Sequence, residues 1–420
     1  MSKKSTLIPV ILVTSLFFLW ALLHNLNPIL IPHLRKAFSL DDFQSSLIDT
    51  SAYISYFVVA IPAGLYMQRY GYKRGILLGL ILYALGALLV IPAASERSYV
   101  FFLAAIFVIA AGATFLETVA NPYISILGDK ENATQRLNFA QSFNGLGAVV
   151  APILGGKFIL SGIEHSPDEL AAMGDTALNN YLQSEADTVK IPYLVITAVV
   201  LLLLLLFIFT RLPEGNDDDE GVNDAHTVGV NFSFKVFKYS HFTWAVISQF
   251  FYVGAQVGVG SFFIRYANYV ANMGEKNAAY LFGSVAMVGF MLGRFSGTFL
   301  MKYVKPASLL AVYGLLCVLL CLLAVVSSGD VALYALVAVP FFMSIMYPTI
   351  FSLGIKGLSN EETKIASSFL VMAIIGGAII PVLMGLVSVA VQSIQIAYIV
   401  PLLCFLVVLY YGVKGYKLKI

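Results

Sequence analysis

The sequence predicts an all-α membrane protein of twelve transmembrane helices in two six-helix halves, and three observations carry that prediction. First, 59% of the 420 residues are hydrophobic and only 11% are charged, with a mean hydropathy of +0.86, a balance far too apolar for a soluble chain of this size. Second, the apolar residues come in long runs rather than short alternating ones. Lipid forces backbone hydrogen bonds to close inside each helix, so long runs mean helices and exclude an outer-membrane barrel. Third, a polar segment at 211–240 divides the chain into two parts of similar pattern. A spanning helix needs roughly 20 mostly apolar residues. Segments of that kind fall at about 7–34, 43–68, 74–94, 98–127, 136–161, 191–211, 241–270, 277–301, 306–327, 331–355, 365–390 and 393–413.

Span 1 follows Lys3 and Lys4 in the manner of a signal peptide, but no small-x-small cleavage site follows and the apolar run exceeds signal length. It is predicted to stay as a helix. Asn25 and Asn27 lie within it. Spans 2 and 3 are joined through GLYMQRYGYKR at 64–74, where glycines and cations crowd a short turn. With the N-terminus inside, Arg69, Lys73, Arg74, Lys130, Arg136, Arg211, Lys235, Lys238, Lys302, Lys305, Lys356, Lys364, Lys414 and Lys417 fall on the cytoplasmic side. Arg35, Lys36, Arg97, Lys190 and Lys276 are the main basic residues opposite. The positive-inside rule thus places both termini in the cytoplasm, as an even number of spans requires.

Span 4 contains AGATFLETVANPYISILG at 111–128, with Glu117 about four residues past the centre of the span. A carboxylate facing lipid there would cost several kcal/mol, so Glu117 must meet a polar cavity, a partner or a proton. A carboxyl that exchanges its proton as its surroundings change can carry that proton across, and this is the functional reading. The alternative is a neutral glutamic acid hydrogen-bonded to a neighbouring helix. Asn121 lies one turn further on.

Span 5 places Asn138, Gln141 and Asn144 at spacings of three, which puts them on one helix face. Amides combine a donor with an acceptor and suit a neutral ligand rich in hydroxyls. Interhelical hydrogen bonds are the alternative for any one of them. The polar stretch 162–190 then falls on the outer side, span 6 returns, and the linker carries DDDE at 217–220, an acidic run of the kind that is simply solvated.

In the second half, span 7 holds Gln249, Gln256 and Arg265, and span 10 holds Tyr347. Tyr53, Phe143, Tyr252 and Tyr347 are candidate aromatic platforms for a sugar ring. Cys317, Cys321 and Cys404 sit in apolar segments; the first two are one turn apart on their own helix, poor geometry for a disulfide, and read as packing residues. The halves also repeat each other. NPYISILGDK at 121–130 aligns without gaps to YPTIFSLGIK at 347–356, at the ends of spans 4 and 10, and GLYMQRY at 64–70 corresponds to GTFLMKY at 297–303, at the ends of spans 2 and 8.

Two parallel six-helix repeats resemble the architecture of major facilitator transporters, which hold substrate near the midplane between halves that rock. The 64–74 stretch is similar to that superfamily's loop between helices 2 and 3, with Gln68 where an aspartate is usual. More specifically, LFFLWALLHNLNPILIPHLRKAF, ATFLETVANPYISILG, RLNFAQSFNGLGA, SQFFYVGAQ, FIRYA, MLGRFSGTFL and SIMYPTIFSLGIKGL resemble the L-fucose/proton symporter group, relatives of bacterial glucose/galactose transporters. The resemblance runs from about residue 15 to about 410. It implies hexose uptake driven by protons, with Glu117 as the span-4 glutamate, Gln141 and Asn144 as the span-5 amides, Asn25 as the span-1 asparagine and Tyr347 as the span-10 tyrosine. Asn121 and Gln256 join them as substrate-binding candidates.

One departure stands out. Where the family pattern reads NLND, with an aspartate that takes part in proton coupling, this sequence reads NLNP and carries Pro28. Asp49, near the start of span 2, mirrors Pro28 about the loop between spans 1 and 2 and should lie at similar depth. It either takes over part of the missing role or caps its helix at a wet outer end.

The expectation is therefore a proton-coupled importer of L-fucose or a closely similar hexose, with glucose/galactose transport, sodium-coupled or uncoupled, as the second reading. A sensor or enzyme is disfavoured: the five histidines are scattered without metal-ligand spacing, and no nucleophile–base arrangement or phosphate-binding glycine loop is visible. The expected partners are the sugar, protons and membrane lipid, with no cofactor, no metal and no nucleic acid. The expected setting is a working monomer in a bacterial inner membrane.

Overall fold

The structure is a computed structural model that describes residues 3–25, 34, 37, 38, 40, 42–158, 169, 172–213 and 234–418. The twelve membrane-spanning helices are numbered in chain order. In the first half α1 is Lys3–His24, α2 and α3 are 42–70 and 72–95 of one helical stretch, Asp42–Ser95, α4 is Tyr99–Ile126, α5 is Ala133–Phe158 and α6 is Lys190–Phe209. In the second half α7 is Ser240–Ala271, α8 is Glu275–Leu300, α9 is Pro306–Val326, α10 is Gly329–Gly354, α11 is Asn360–Val391 and α12 is Ile396–Gly415. The helices follow the predicted spans with shifts of a few residues. Residues 26–33, which the sequence assigned to the end of span 1, lie outside the described residues.

Local chemistry sets the boundaries. Gly71 separates α2 from α3 at φ 82°, ψ 174°, backbone that a side-chain-bearing residue would adopt only under strain, so the chain reverses with almost no loop. Ser98 caps α4 by accepting from the Phe101 amide, Pro306 opens α9, and Ser359 with Glu362 forms a reciprocal capping box on α11. The 162–190 stretch, read from sequence only as polar, contains a helix, Asp175–Asp187. An aspartate in its first turn favours it, Leu182 and Ala186 are buried, and Gln183 Nε2 donates to Ala94 O at the end of α3.

Each half packs around aromatic and small residues: Tyr83, Ala87 and Leu116 are fully buried in the first, Tyr266, Phe263 and Tyr398 in the second. The halves meet through hydrogen bonds on the face where α4 ends and α5 begins. Thr134 Oγ1 and Ser352 Oγ lie 2.8 Å apart, Asn138 Nδ2 donates to Thr349 Oγ1 at 3.1 Å, Gln135 Nε2 to Thr298 O at 3.2 Å, and Tyr72 Oη to Asn360 Oδ1 at 2.9 Å. Those contacts close that face. A polar cavity lies above them, between the halves.

Candidate functional site

The cavity has a volume of about 170 Å³ and is lined from both halves. α4 delivers Glu117, α5 delivers Gln141 and Asn144, α1 delivers Trp20 with Asn25 just past its end, and α2 delivers Tyr53 and Tyr56. The second half contributes Gln256 from α7, Arg294 and Phe290 from α8, and Tyr347 from α10. Glu117 is only 7% exposed. Its carboxyl faces the hydroxyls of Tyr56 and Tyr347 and, beyond them, the Arg294 guanidinium. These groups approach without closing: Tyr347 Oη has no partner at hydrogen-bond geometry, and among the described residues no ion pair reaches Arg294. Glu117 therefore retains acceptor capacity toward the cavity.

A directed chain of bonds stands behind it. Gln141 Nε2 donates to Asn121 Oδ1 at 3.0 Å, and Asn121 Nδ2 donates to the Glu117 carbonyl at 2.9 Å. Arg294 closes the other end. Its Nη1 donates to Gln141 O at 2.5 Å, to Asn144 Oδ1 at 3.0 Å and, more weakly, to Gln141 Oε1 at 3.4 Å, while Nε donates to Ser344 O at 2.9 Å. The guanidinium also lies over the Phe290 ring, 4.6 Å from its centroid. Gly293 makes this reach possible, because a side chain there would collide with the Phe341 carbonyl and the Ser344 side chain, and so α8 sits directly against α10.

Five of the predicted substrate-binding residues other than Glu117, namely Asn25, Gln141, Asn144, Gln256 and Tyr347, come together with it around this cavity. Asn121 is fully buried one layer behind the wall, orienting Gln141. Asn138 belongs to the closed face through Thr349. Of the aromatic platforms, Tyr53 and Tyr347 line the cavity, while Phe143 packs edge-on against Phe139. Arg265 stacks over Phe262, away from the site. Gln249 is buried with neither amide end bonded, facing Tyr347. Pro28 and the side chain of Asp49 lie outside the described residues.

Sequence reasoning missed Arg294, Tyr56, Trp20 and Phe290. The signal for Arg294 was present: a lone cation inside the apolar run MLGRFSGTFL meets the same argument that singled out Glu117. The others are aromatic residues in aromatic-rich spans, which periodicity does not distinguish from core.

Residues 11–381 match the sequence profile described as Major Facilitator Superfamily. The chain is 45% identical over 409 residues to the L-fucose-proton symporter of Escherichia coli K12, covering 97% of this chain and 92% of that protein. It is 38% identical to a glucose/galactose transporter of Brucella abortus, over 96% of this chain and 93% of the other. A crystal structure of a major facilitator transporter, FucP, in the outward conformation superposes with a TM-score of 0.90 at 43% identity, covering 99% of this chain and 100% of the other.

Proposed function

The chain belongs to the major facilitator superfamily, and from that premise we propose that it imports L-fucose or a closely related hexose by proton-coupled symport. The observation that carries the reading is a buried carboxyl, Glu117, standing at membrane depth in a cavity otherwise walled by amides, tyrosine hydroxyls and aromatic rings. Such a wall offers donors and acceptors to hydroxyls and flat faces to a sugar ring, and one group that can take up and release a proton. Glu117 serves as proton carrier and sugar acceptor, with Asn25, Gln141, Asn144, Gln256 and Tyr347 around the sugar, Asn121 supporting Gln141, and Asp49 a second coupling candidate in place of the absent aspartate at position 28.

In this reading the chain works as a monomer in a bacterial inner membrane with both termini cytoplasmic. Residues 1–211 and 241–420 form the rocking halves and 212–240 the linker between them. The closed face is then the cytoplasmic one, and sugar arrives from outside. Transport itself is the activity, with no chemical step on the substrate.

The test uses purified protein in liposomes, recording sugar-evoked charge movement without sodium for L-fucose, D-glucose, D-galactose and D-mannose. An inward current for one sugar, lost in Glu117→Gln, supports proton symport and identifies the substrate. Pro28 and the Brucella relative favour glucose/galactose transport with sodium or no coupling as a second reading. Sugar exchange without current in sodium-free buffer would select it.

A further inference from the structure

We propose that Arg294 is a positioning residue that sets the hydrogen-bond polarity of the sugar site, fixing Asn144 as a donor toward the cavity that Glu117 enters as an acceptor. The inference rests on the transport reading above and adds to it which kind of hydroxyl each of two side chains recognises.

A guanidinium donates and never accepts. Because Arg294 Nη1 donates to Asn144 Oδ1, the Asn144 carbonyl is committed to Arg294 and its NH₂ is turned toward the cavity that Asn144 lines. An asparagine without such a neighbour presents either end, by a rotation of half a turn about its terminal bond. Arg294 is itself held against rotation by Ser344 O, Gln141 O and the Phe290 ring, and is only 3% exposed.

The same direction propagates along the wall. Arg294 donates to Gln141, Gln141 to Asn121 and Asn121 to the Glu117 backbone carbonyl. Reversing any amide in that series would set donor against donor or acceptor against acceptor. Gln141 has its carbonyl and one N–H engaged, and Asn144 is the α5 amide whose NH₂ makes no bond within the protein among the described residues, so it has both N–H groups to offer a ligand. On the same wall, the Glu117 side chain accepts. The site therefore reads two sugar hydroxyls differently: one as an acceptor from Asn144, the other as a donor to Glu117.

A charged residue that only stapled α5 to α8 would leave ligand polarity unspecified, and the two roles separate experimentally. Asn144→Asp keeps the shape; one carboxylate oxygen pairs with Arg294 and the other turns an acceptor where the amide turned donors. Binding of L-fucose and its monodeoxy and deoxyfluoro analogues is followed by the fluorescence of Trp20, which lines the cavity, with thermal melting in detergent as the folding control. Fluorine accepts weakly and cannot donate.

In the wild type, one ring position should tolerate fluorine better than hydrogen, marking the hydroxyl read by Asn144, and another should lose binding with either, marking the one read by Glu117. Asn144→Asp should melt no lower than wild type yet bind L-fucose about tenfold or more weakly, and its preference for fluorine over hydrogen should vanish. Arg294→Lys, still a donor-only cation, should retain the preference, whereas Arg294→Met should abolish it. If Arg294→Met does not fold, Asn144→Asp decides alone. Wild-type affinity in Asn144→Asp, or an unchanged fluorine preference there, overturns the proposal. Failure of the wild type to bind any of the four sugars would overturn the transport reading instead.

Discussion

The two walls of the cavity come from repeats of one another and are made of different chemistry. The first half offers Asn25, Tyr53, Tyr56, Glu117, Gln141 and Asn144 with Trp20, Ala21 and Ala148 among them, whereas the second offers mainly Val253, Val257, Met287, Phe290 and Ile374, with Gln256, Arg294 and Tyr347 among them. The repeat makes the contrast sharp. On the ungapped register that pairs 121–130 with 347–356, Asn121 answers to Tyr347 and Glu117 to Met343, and both members of the latter pair are buried. Duplication thus accounts for where helices lie, and divergence for what they present: a polar wall that carries the carboxyl proposed to take up the proton, and a greasier wall. A sugar suits such a site, since its ring has hydroxyl edges and an apolar face.

The largest effect should come from exchanging the chemistry of the paired positions. One-proton coupling under an imposed pH step of about one unit, alkaline inside, sustains about tenfold accumulation of sugar. Glu117→Gln should reduce this to no accumulation while sugar exchange continues, because the proton no longer has a carrier. Met343→Gln, the same side chain at the repeat-equivalent position of α10, removes no titratable group and should leave accumulation by the folded protein within about twofold of wild type, though burying an amide at a position only 2% exposed should lower its melting temperature. Radiolabelled uptake into liposomes checks both. Equal loss in the two variants would break the asymmetry.

The next effect concerns the one hydroxyl that the second wall aims at the first wall's acid. Tyr347→Phe removes the Oη that faces Glu117 without changing the ring. The expected cost is about 1 kcal/mol of sugar affinity, or roughly fivefold, with the accumulation ratio unchanged. A change in accumulation without a change in affinity would move Tyr347 from sugar binding to proton handling.

The walls were unequally legible in the sequence for a physical reason. Glu117 and the α5 amides announced themselves because a polar group in an apolar helix demands an explanation from solvation alone, and three spaced by three share a face whatever the tertiary fold. Tyr347 was carried by resemblance. Trp20, Tyr56 and Phe290 belong to residue types that serve equally in a packed core, and only the relative rotation of helices decides that they line a cavity. Asn121 and Asn138 show the converse limit: helical spacing put them near the site, but which neighbouring helix takes their hydrogen bonds depends on tertiary packing, and they serve the second layer and the closed face. The α2–α3 reversal at Gly71 was legible through the resemblance of 64–74 to the superfamily's loop, though not as an almost loopless one.

An effect of similar size, on conformation rather than on affinity, should appear where the walls continue into the closed face. There, beside one cation–ring contact, Lys364 over Tyr72, the hydrogen bonds between halves are neutral: a hydroxyl pair, Thr134 with Ser352, and an amide–hydroxyl bond, Asn138 with Thr349. Opening this face lets water replace each partner, so removing one bond shifts the closed–open balance by only its net worth, about 1 kcal/mol or roughly fivefold in population. Asn138→Ala and Thr349→Ala should each produce that shift toward opening, and the double variant little more, since they delete the same bond. Spin labels on Lys130→Cys and Lys356→Cys, exposed and equivalent in the repeat, read the separation of the halves, and the buried Cys317, Cys321 and Cys404 should escape labelling. Because none of these hydrogen-bonding groups bears charge, the shift should be nearly independent of salt. A strongly salt-dependent opening would mean that the basic residues around the face, rather than this neutral seam, hold it shut.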